Sequence, residues 1–178
     1  MQILLFGKTG QVATELQRNT HLGIEIMALG RNEADLSKPD VCANIIKENG
    51  ADVIINAAAY TLVDQAETEI ALANIINGES PSRMAEAAAL KNIPFIHIST
   101  DYVFDGESNN NYKEADPANP INVYGKTKLS GEHTIKSLMP TNAIIIRTSW
   151  LYSEFGDNFV GSILQNARKK NEIDVIND

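Results

Sequence analysis

The 178-residue sequence predicts an α/β fold: a doubly wound, mostly parallel sheet with helices on both sides. Three observations predict it. Short runs rich in β-branched residues alternate with helical patterns. Those runs are near-continuously apolar, as in strands buried on both faces. The first is followed at once by a glycine-bearing turn and a helical stretch. With 43% apolar and 21% charged residues, the chain has the composition of one globular domain, spanning 1–178 with no repeat or linker.

The elements follow in order. "ILLF" (3–6) is the first strand and residues 11–19 the first helix. "IEIMAL" (24–29) is the second strand, after which Ser37 and Pro39 open a helix that runs to about Asn49. "DVIIN" (52–56) is the third. The alanine-rich "SRMAEAAALKN" (82–92) is a strong helix former and leads into the fourth strand, "PFIHIS" (94–99). "AIIIRTS" (143–149) and a terminal "IDVI" (173–176) complete the set, while Gly23, Gly30 and Gly50 fall where elements must end. "DGESNNNYKEADPANP" (105–120), with three consecutive Asn and two Pro, has no period that supports an element. It reads as a long surface loop of the kind that covers a ligand site.

A net charge of -8 with no basic run argues against nucleic-acid partners. Cys42 is the only cysteine, so no intrachain disulfide forms; it reads as a small packed residue in a reducing compartment. The opening "MQILLFG" is too short in its apolar run for a signal core or a membrane span, and the longest apolar stretches elsewhere are of strand length. The expectation is a cytoplasmic protein with no membrane partner. Its oligomeric state is open, with a homodimer among the options.

"GKTGQVA" supplies Gly7 and Gly10, with Ala13 at the third position of the dinucleotide fingerprint. A strand, such a turn and a helix start form the context of a Rossmann-type site, where backbone N–H groups at a helix N-terminus receive a pyrophosphate. Lys8 does not sit in a P-loop spacing. The second strand ends "ALGRN", with no carboxylate for the adenosine ribose; Arg31 instead offers a guanidinium to a 2′-phosphate, favouring NADPH over NADH.

Ligands in such folds lie beyond the carboxyl ends of the strands, which places Ser99, Thr100 and Asp101 at the same crevice. In the following "YGKTK", Tyr124 and Lys128 share one face if the stretch is helical. A phenol is a poor acid at neutral pH. A cation about 4 Å away at an effective dielectric near 20 stabilises its phenolate by roughly 4 kcal/mol, or about 3 pK units before desolvation opposes it. A Tyr so tuned gives a proton to a carbonyl oxygen as hydride reaches the carbon, with Thr100 holding that oxygen.

The turn, the Ser-Thr strand end and Tyr-x-x-x-Lys, in that order, resemble the extended short-chain dehydrogenase/reductases. "LLFGKTGQV", "NAAAYTLVDQAE", "STDYVFDG", "YGKTKLSGE" and "IIRTSWLY" sharpen the resemblance to the dTDP-4-dehydrorhamnose reductases, over essentially the whole chain. That resemblance implies reduction, by NADPH or NADH, of a 4-keto group on a dTDP-linked 6-deoxysugar, the last step of dTDP-L-rhamnose synthesis for cell-surface polysaccharide. It makes Tyr124 the proton donor, Lys128 its tuner and a binder of the nicotinamide ribose, and Thr100 the assisting hydroxyl. It places Gly10, Gln11 and Val12 on the pyrophosphate, Asp35 and Leu36 near the adenine, and Ala57, Ala59 and Thr61 along the cofactor. Asn77 matches an Asn that supports the Tyr-Lys pair through water. Asp101, Val103, Phe104 and Trp150 would face the sugar nucleotide, although a core aromatic is an equal reading of Trp150. His21, His97 and His133 match nothing in the pattern and read as packing or surface residues; no catalytic metal is expected. The resemblance also implies a smaller lobe, beyond "VIND", that completes the sugar-nucleotide site.

Other readings stay open. A 4,6-dehydratase would carry a carboxylate after Asp101, where Tyr102 stands. A nucleotide-sugar epimerase would have a different, Ser-based strand end. A non-catalytic NADP-binding regulatory subunit, like that of methionine adenosyltransferase, would keep the cofactor turn without the reaction.

Overall fold

The β-branched runs become five parallel strands, β1 (Gln2–Phe6), β2 (Glu25–Leu29), β3 (Val53–Asn56), β4 (Phe95–Thr100) and β5 (Ala143–Thr148), in the order β2-β1-β3-β4-β5. The computed structural model describes residues 1–19, 21–169 and 172. The terminal strand expected at 173–176 lies outside the described residues. Strand order reverses between β1 and β3, so the crevice beyond their carboxyl ends is the topological switch point of the sheet.

Helices α1 (Gln11–Arg18), α2 (Pro39–Glu48) and α5 (Ser80–Leu90) stand within two residues of their expected bounds. Two short helices, α3 (Val63–Ala66) and α4 (Ile70–Asn74), and a π-helical turn at Ile75–Glu79 fill a stretch for which the sequence analysis gave no element. The reason is local. Four- and five-residue helices show no readable period, and the π turn continues directly into α5. The long helix α6 (Val123–Leu138) carries the Tyr-Lys pair, and α7 (Phe159–Ala167) follows β5.

Alternation along the strands splits the core in two. Leu4, Phe6, Ile54 and Phe95 pack with Ile46 of α2, Met84 of α5 and Ile135 of α6. On the other face Ile3, Leu5 and Ile55 pack with Ala13 of α1. This second face is covered thinly: Ile144 and Ile146 of β5 are exposed, and α7 buries no residue.

Two glycines of α6 set how closely it packs. A Cβ on Gly131 would stand 2.5 Å from the Asn77 carbonyl oxygen, and one on Gly125 would overlap the carbonyl of Tyr102. Glycine at both positions lets the helix lie against the π turn and against the strand-end turn after β4, which places Tyr124 over that turn.

Candidate active site

Gly7 takes φ +103°, and a Cβ there would lie 2.9 Å from the backbone of Ala57 and Ala58. The glycine is needed where the ends of β1 and β3 nearly touch. Gly10 caps α1 without any side chain, leaving the first-turn N–H groups pointing outward. Together these residues open a cleft of about 250 Å³ whose walls include Gly10, Arg31, Asp35, Leu36, Ala57 and Thr61. Ala59 and Gly30 line it as well. Of the residues the sequence assigns to a cofactor, Gly7, Gly10, Arg31, Asp35, Leu36, Ala57, Ala59 and Thr61 therefore converge, while Asn77, the end of β2, and Gln11 with Val12 need correction.

Asn77 is the first. It is fully buried; its Oδ1 accepts from Tyr60 N–H at 2.8 Å, while its Nδ2 donates to the Tyr60 carbonyl at 3.0 Å and to Thr127 Oγ1 at 3.2 Å. The amide clamps the chain after β3 to α6 instead of facing the Tyr-Lys pair. The second concerns the end of β2, where the sequence offers no adjacent carboxylate. The turn after Gly30 brings Glu33 back, and the Gly30 N–H donates to Glu33 Oε2 at 3.0 Å. A carboxylate thus folds back onto Gly30, just past the end of β2, after all.

The side chains of Gln11 and Val12 do not enter the cleft; they border a separate hollow with Leu151 and Tyr152, and only their backbone belongs to the α1 N-terminus. Asp35 accepts from the Ser37 N–H at 3.0 Å, a bond that holds its carboxyl below the usual range.

Three residues of α6 one turn apart, Tyr124, Lys128 and Glu132, face β4. At Glu132, burial raises the carboxyl, yet Arg147 and Ser99 overcome it and hold it below its ordinary value. Arg147 clasps it with Nη2 at 2.6 Å and Nε at 3.0 Å, and Ser99 Oγ donates at 2.6 Å. Arg147 also lies 5.0 Å over the Phe104 ring, so the ion pair ties β4, β5 and α6 together behind the strand-end turn.

At the mouth, Thr100 Oγ1 accepts from the Tyr102 N–H at 3.2 Å. Its own hydroxyl donates to Asp101 Oδ1 at 3.1 Å. Burial raises the pKa of Tyr124 most; the Thr100 hydrogen bond opposes this, and Asp101 and Tyr102 raise it further. Lys128 does not lower the phenol's pKa as expected. Its Nζ donates to the Ile98 carbonyl at 2.7 Å and meets His97 Nε2 at 3.1 Å, and burial brings its pKa from 10.5 down to about 7, against the pull of Glu132.

His97, which the sequence reads as a packing or surface residue, packs at the centre of a polar chain. It is fully buried and joins Asn56 Nδ2 at 3.2 Å to Lys128. The available signal was its place in "FIHIST": the alternation of a buried strand puts Phe95, His97 and Ser99 on one face, where an imidazole must find polar partners.

A second cavity adjoins the strand end, lined by Asp101, Tyr102, Phe104, Tyr112 and Trp150. Loop 105–120 borders it, pinned by Asp105, which accepts from Tyr112 Oη at 2.7 Å and Asn119 Nδ2 at 2.9 Å. Trp150 takes φ +50°, is 75% exposed among the described residues, lines this cavity and packs edge-on against Phe159, and so is no part of the core clusters of this domain. Val103, by contrast, is fully buried and faces no ligand space.

Comparison with known proteins fits this geometry. Residues 1–178 match the family described as the RmlD substrate binding domain. The chain belongs to that family. A dTDP-4-dehydrorhamnose reductase of Sinorhizobium fredii is 43% identical over 178 residues, covering 100% of this chain and 60% of that protein. The crystal structure of such a reductase from Clostridium acetobutylicum superposes with a TM-score of 0.92 at 37% identity, covering 97% of this chain and 61% of that one. One from Bacillus anthracis, solved in complex with NADP, gives 0.90 at 34% identity over 95% of this chain and 60% of that one. The chain thus spans about 60% of the length of the RmlD relatives it matches. Among the described residues no helix is long and apolar enough to cross a membrane, and no cluster of metal-ligating side chains forms.

Proposed function

We propose that residues 1–178 are the NAD(P)-binding and proton-donating domain of a dTDP-4-dehydrorhamnose reductase, the sugar-nucleotide site being completed by a further lobe. One observation carries the reading: a cleft at the switch point is lined by glycine and alanine, and Thr100 ends β4 of the same sheet with Tyr124 acting on it from the first turn of α6, in a chain matched over its whole length by named reductases. The free N–H groups at the start of α1 and the close backbone approach at Gly7 suit a dinucleotide pyrophosphate.

The nicotinamide, when bound, supplies hydride to the C4 carbonyl carbon. Everything else falls to the protein. Burial keeps the Tyr124 phenol protonated at neutral pH, so it enters the reaction as the acid. Thr100 and Tyr124 together hold the keto oxygen, and Tyr124 gives it the proton. The phenolate left in a poorly solvated site then needs a cation, and Lys128, one turn along α6, supplies it on this reading and binds the nicotinamide ribose. Asp101, Phe104 and Trp150 border the space for the sugar nucleotide.

The test is an NADPH-oxidation assay with dTDP-4-dehydro-L-rhamnose, using a protein of the relatives' full length that carries this domain. Substrate-dependent oxidation supports the reading. Cofactor binding without turnover would leave a regulatory NADP-binding subunit as the better account.

A further inference from the structure

The Ala58 backbone N–H is a donor without ambiguity, and it meets Asn56 Oδ1 at 3.1 Å. That fixes the Asn56 amide: its NH₂ faces His97 Nδ1 at 3.2 Å and donates to it. Nδ1 therefore carries a lone pair, and the single proton of a neutral imidazole sits on Nε2. Nε2 in turn lies 3.1 Å from Lys128 Nζ. An N–H there needs a lone pair on the lysine nitrogen, one of whose own N–H groups is directed to the Ile98 carbonyl at 2.7 Å. An ammonium at this place would set donor against donor. Asn56, His97 and Lys128 are all at most 1% exposed, so solvent does not relieve such a clash.

We propose that Asn56 and His97 are positioning residues which, in the cofactor-free protein, fix the Nε2–H tautomer of His97 and hold Lys128 as a neutral amine. The electrostatic surroundings agree. Burial drives His97 well below its ordinary value and Lys128 to about 7. The other charge that reaches this point is Glu132 on α6, which is neutralised by Arg147 from β5 with Lys136 nearby; Tyr124 stands one turn before Lys128 on the same helix. On the reading that Lys128 serves the reductase site, negative charge from a bound dinucleotide favours its protonation. A protonated Lys128 then finds no acceptor on His97 and turns toward Tyr124 and the cofactor.

The test is the tautomer itself, read at pH 7.5 on cofactor-free protein by long-range ¹H–¹⁵N correlation with ¹⁵N-histidine, the His97 signals being assigned by their loss in His97→Gln. The proposal expects a protonated Nε2 and a bare Nδ1. A protonated Nδ1, or an imidazolium, overturns it. Asn56→Asp, nearly isosteric, presents an acceptor in place of the amide NH₂ and should reverse His97 to the Nδ1–H form. In the full-length enzyme it should also move the pH profile of kcat/KM by about one unit or more; an unmoved tautomer and profile would contradict the positioning role. Because the spectra need no turnover, failure of the tautomer assignment and failure of the reductase reading are separately visible.

Discussion

Gly125 of α6 rests against the backbone carbonyl of Tyr102, so closely that a Cβ would overlap the carbonyl oxygen and stand 2.9 Å from Pro120 Cβ. The position next to the proposed proton donor is thus pressed on the strand-end turn that holds Thr100. Backbone cannot yield as a flexible side chain does. Gly125→Ala should destabilise the fold by about 1–3 kcal/mol and displace Tyr124 from Thr100. Thermal denaturation should show a melting point lower by several degrees, and turnover should fall more than cofactor affinity. A variant of native stability and activity would mean that this approach does not set the site.

Arg31 lines the cleft proposed for the dinucleotide, and Glu33, two residues on, folds back onto Gly30, which lines it too. Arg31→Ala should weaken NADPH by roughly 1.5–3 kcal/mol, the range of a charge-assisted hydrogen bond, with little effect on NADH. Glu33→Gln should move the ratio the other way, by removing a negative charge from the neighbourhood of a 2′-phosphate. Equal losses for the two cofactors in fluorescence titration would refute both assignments.

Lys128 is placed where its charge is costly: its pKa falls from 10.5 to about 7 on folding. A base so depressed opposes folding fully below pH 7, and the opposition fades as pH rises toward 10.5, where the unfolded chain also loses its proton. Lys128→Met leaves the Ile98 carbonyl and His97 Nε2 unpaired at every pH, so the pH-dependent part is diagnostic: relative to wild type the variant should be more stable at pH 7 than at pH 9.5, while reduction is abolished. Urea denaturation at pH 7 and pH 9.5 measures this. A relative stability that grew with pH would contradict the buried-amine account.

The sheet, its order of elements and the cofactor turn were legible because β-branched runs and glycine spacing are local signals. So were the positions of Tyr124, Lys128 and Thr100. The short helices before α5 were not, since five residues fix no period. Glu33 escaped notice because a turn of four residues, invisible in strand-end rules, folds it back onto Gly30. The roles of His97, Glu132 and Arg147 depend on β4 and α6 facing each other, a tertiary fact. Asn77 went astray for the converse reason: a superfamily match located it on the right element, but the π turn directs its amide to the Tyr60 backbone.

Tyr124→Phe is the most direct test of the central claim, that this partly buried phenol is the proton donor to a 4-keto sugar nucleotide. Measured in the full-length enzyme with saturating NADPH, kcat should fall by about 10²–10⁴-fold while the cofactor dissociation constant stays within about twofold. Turnover at the wild-type rate would assign the proton to another group and contradict the account.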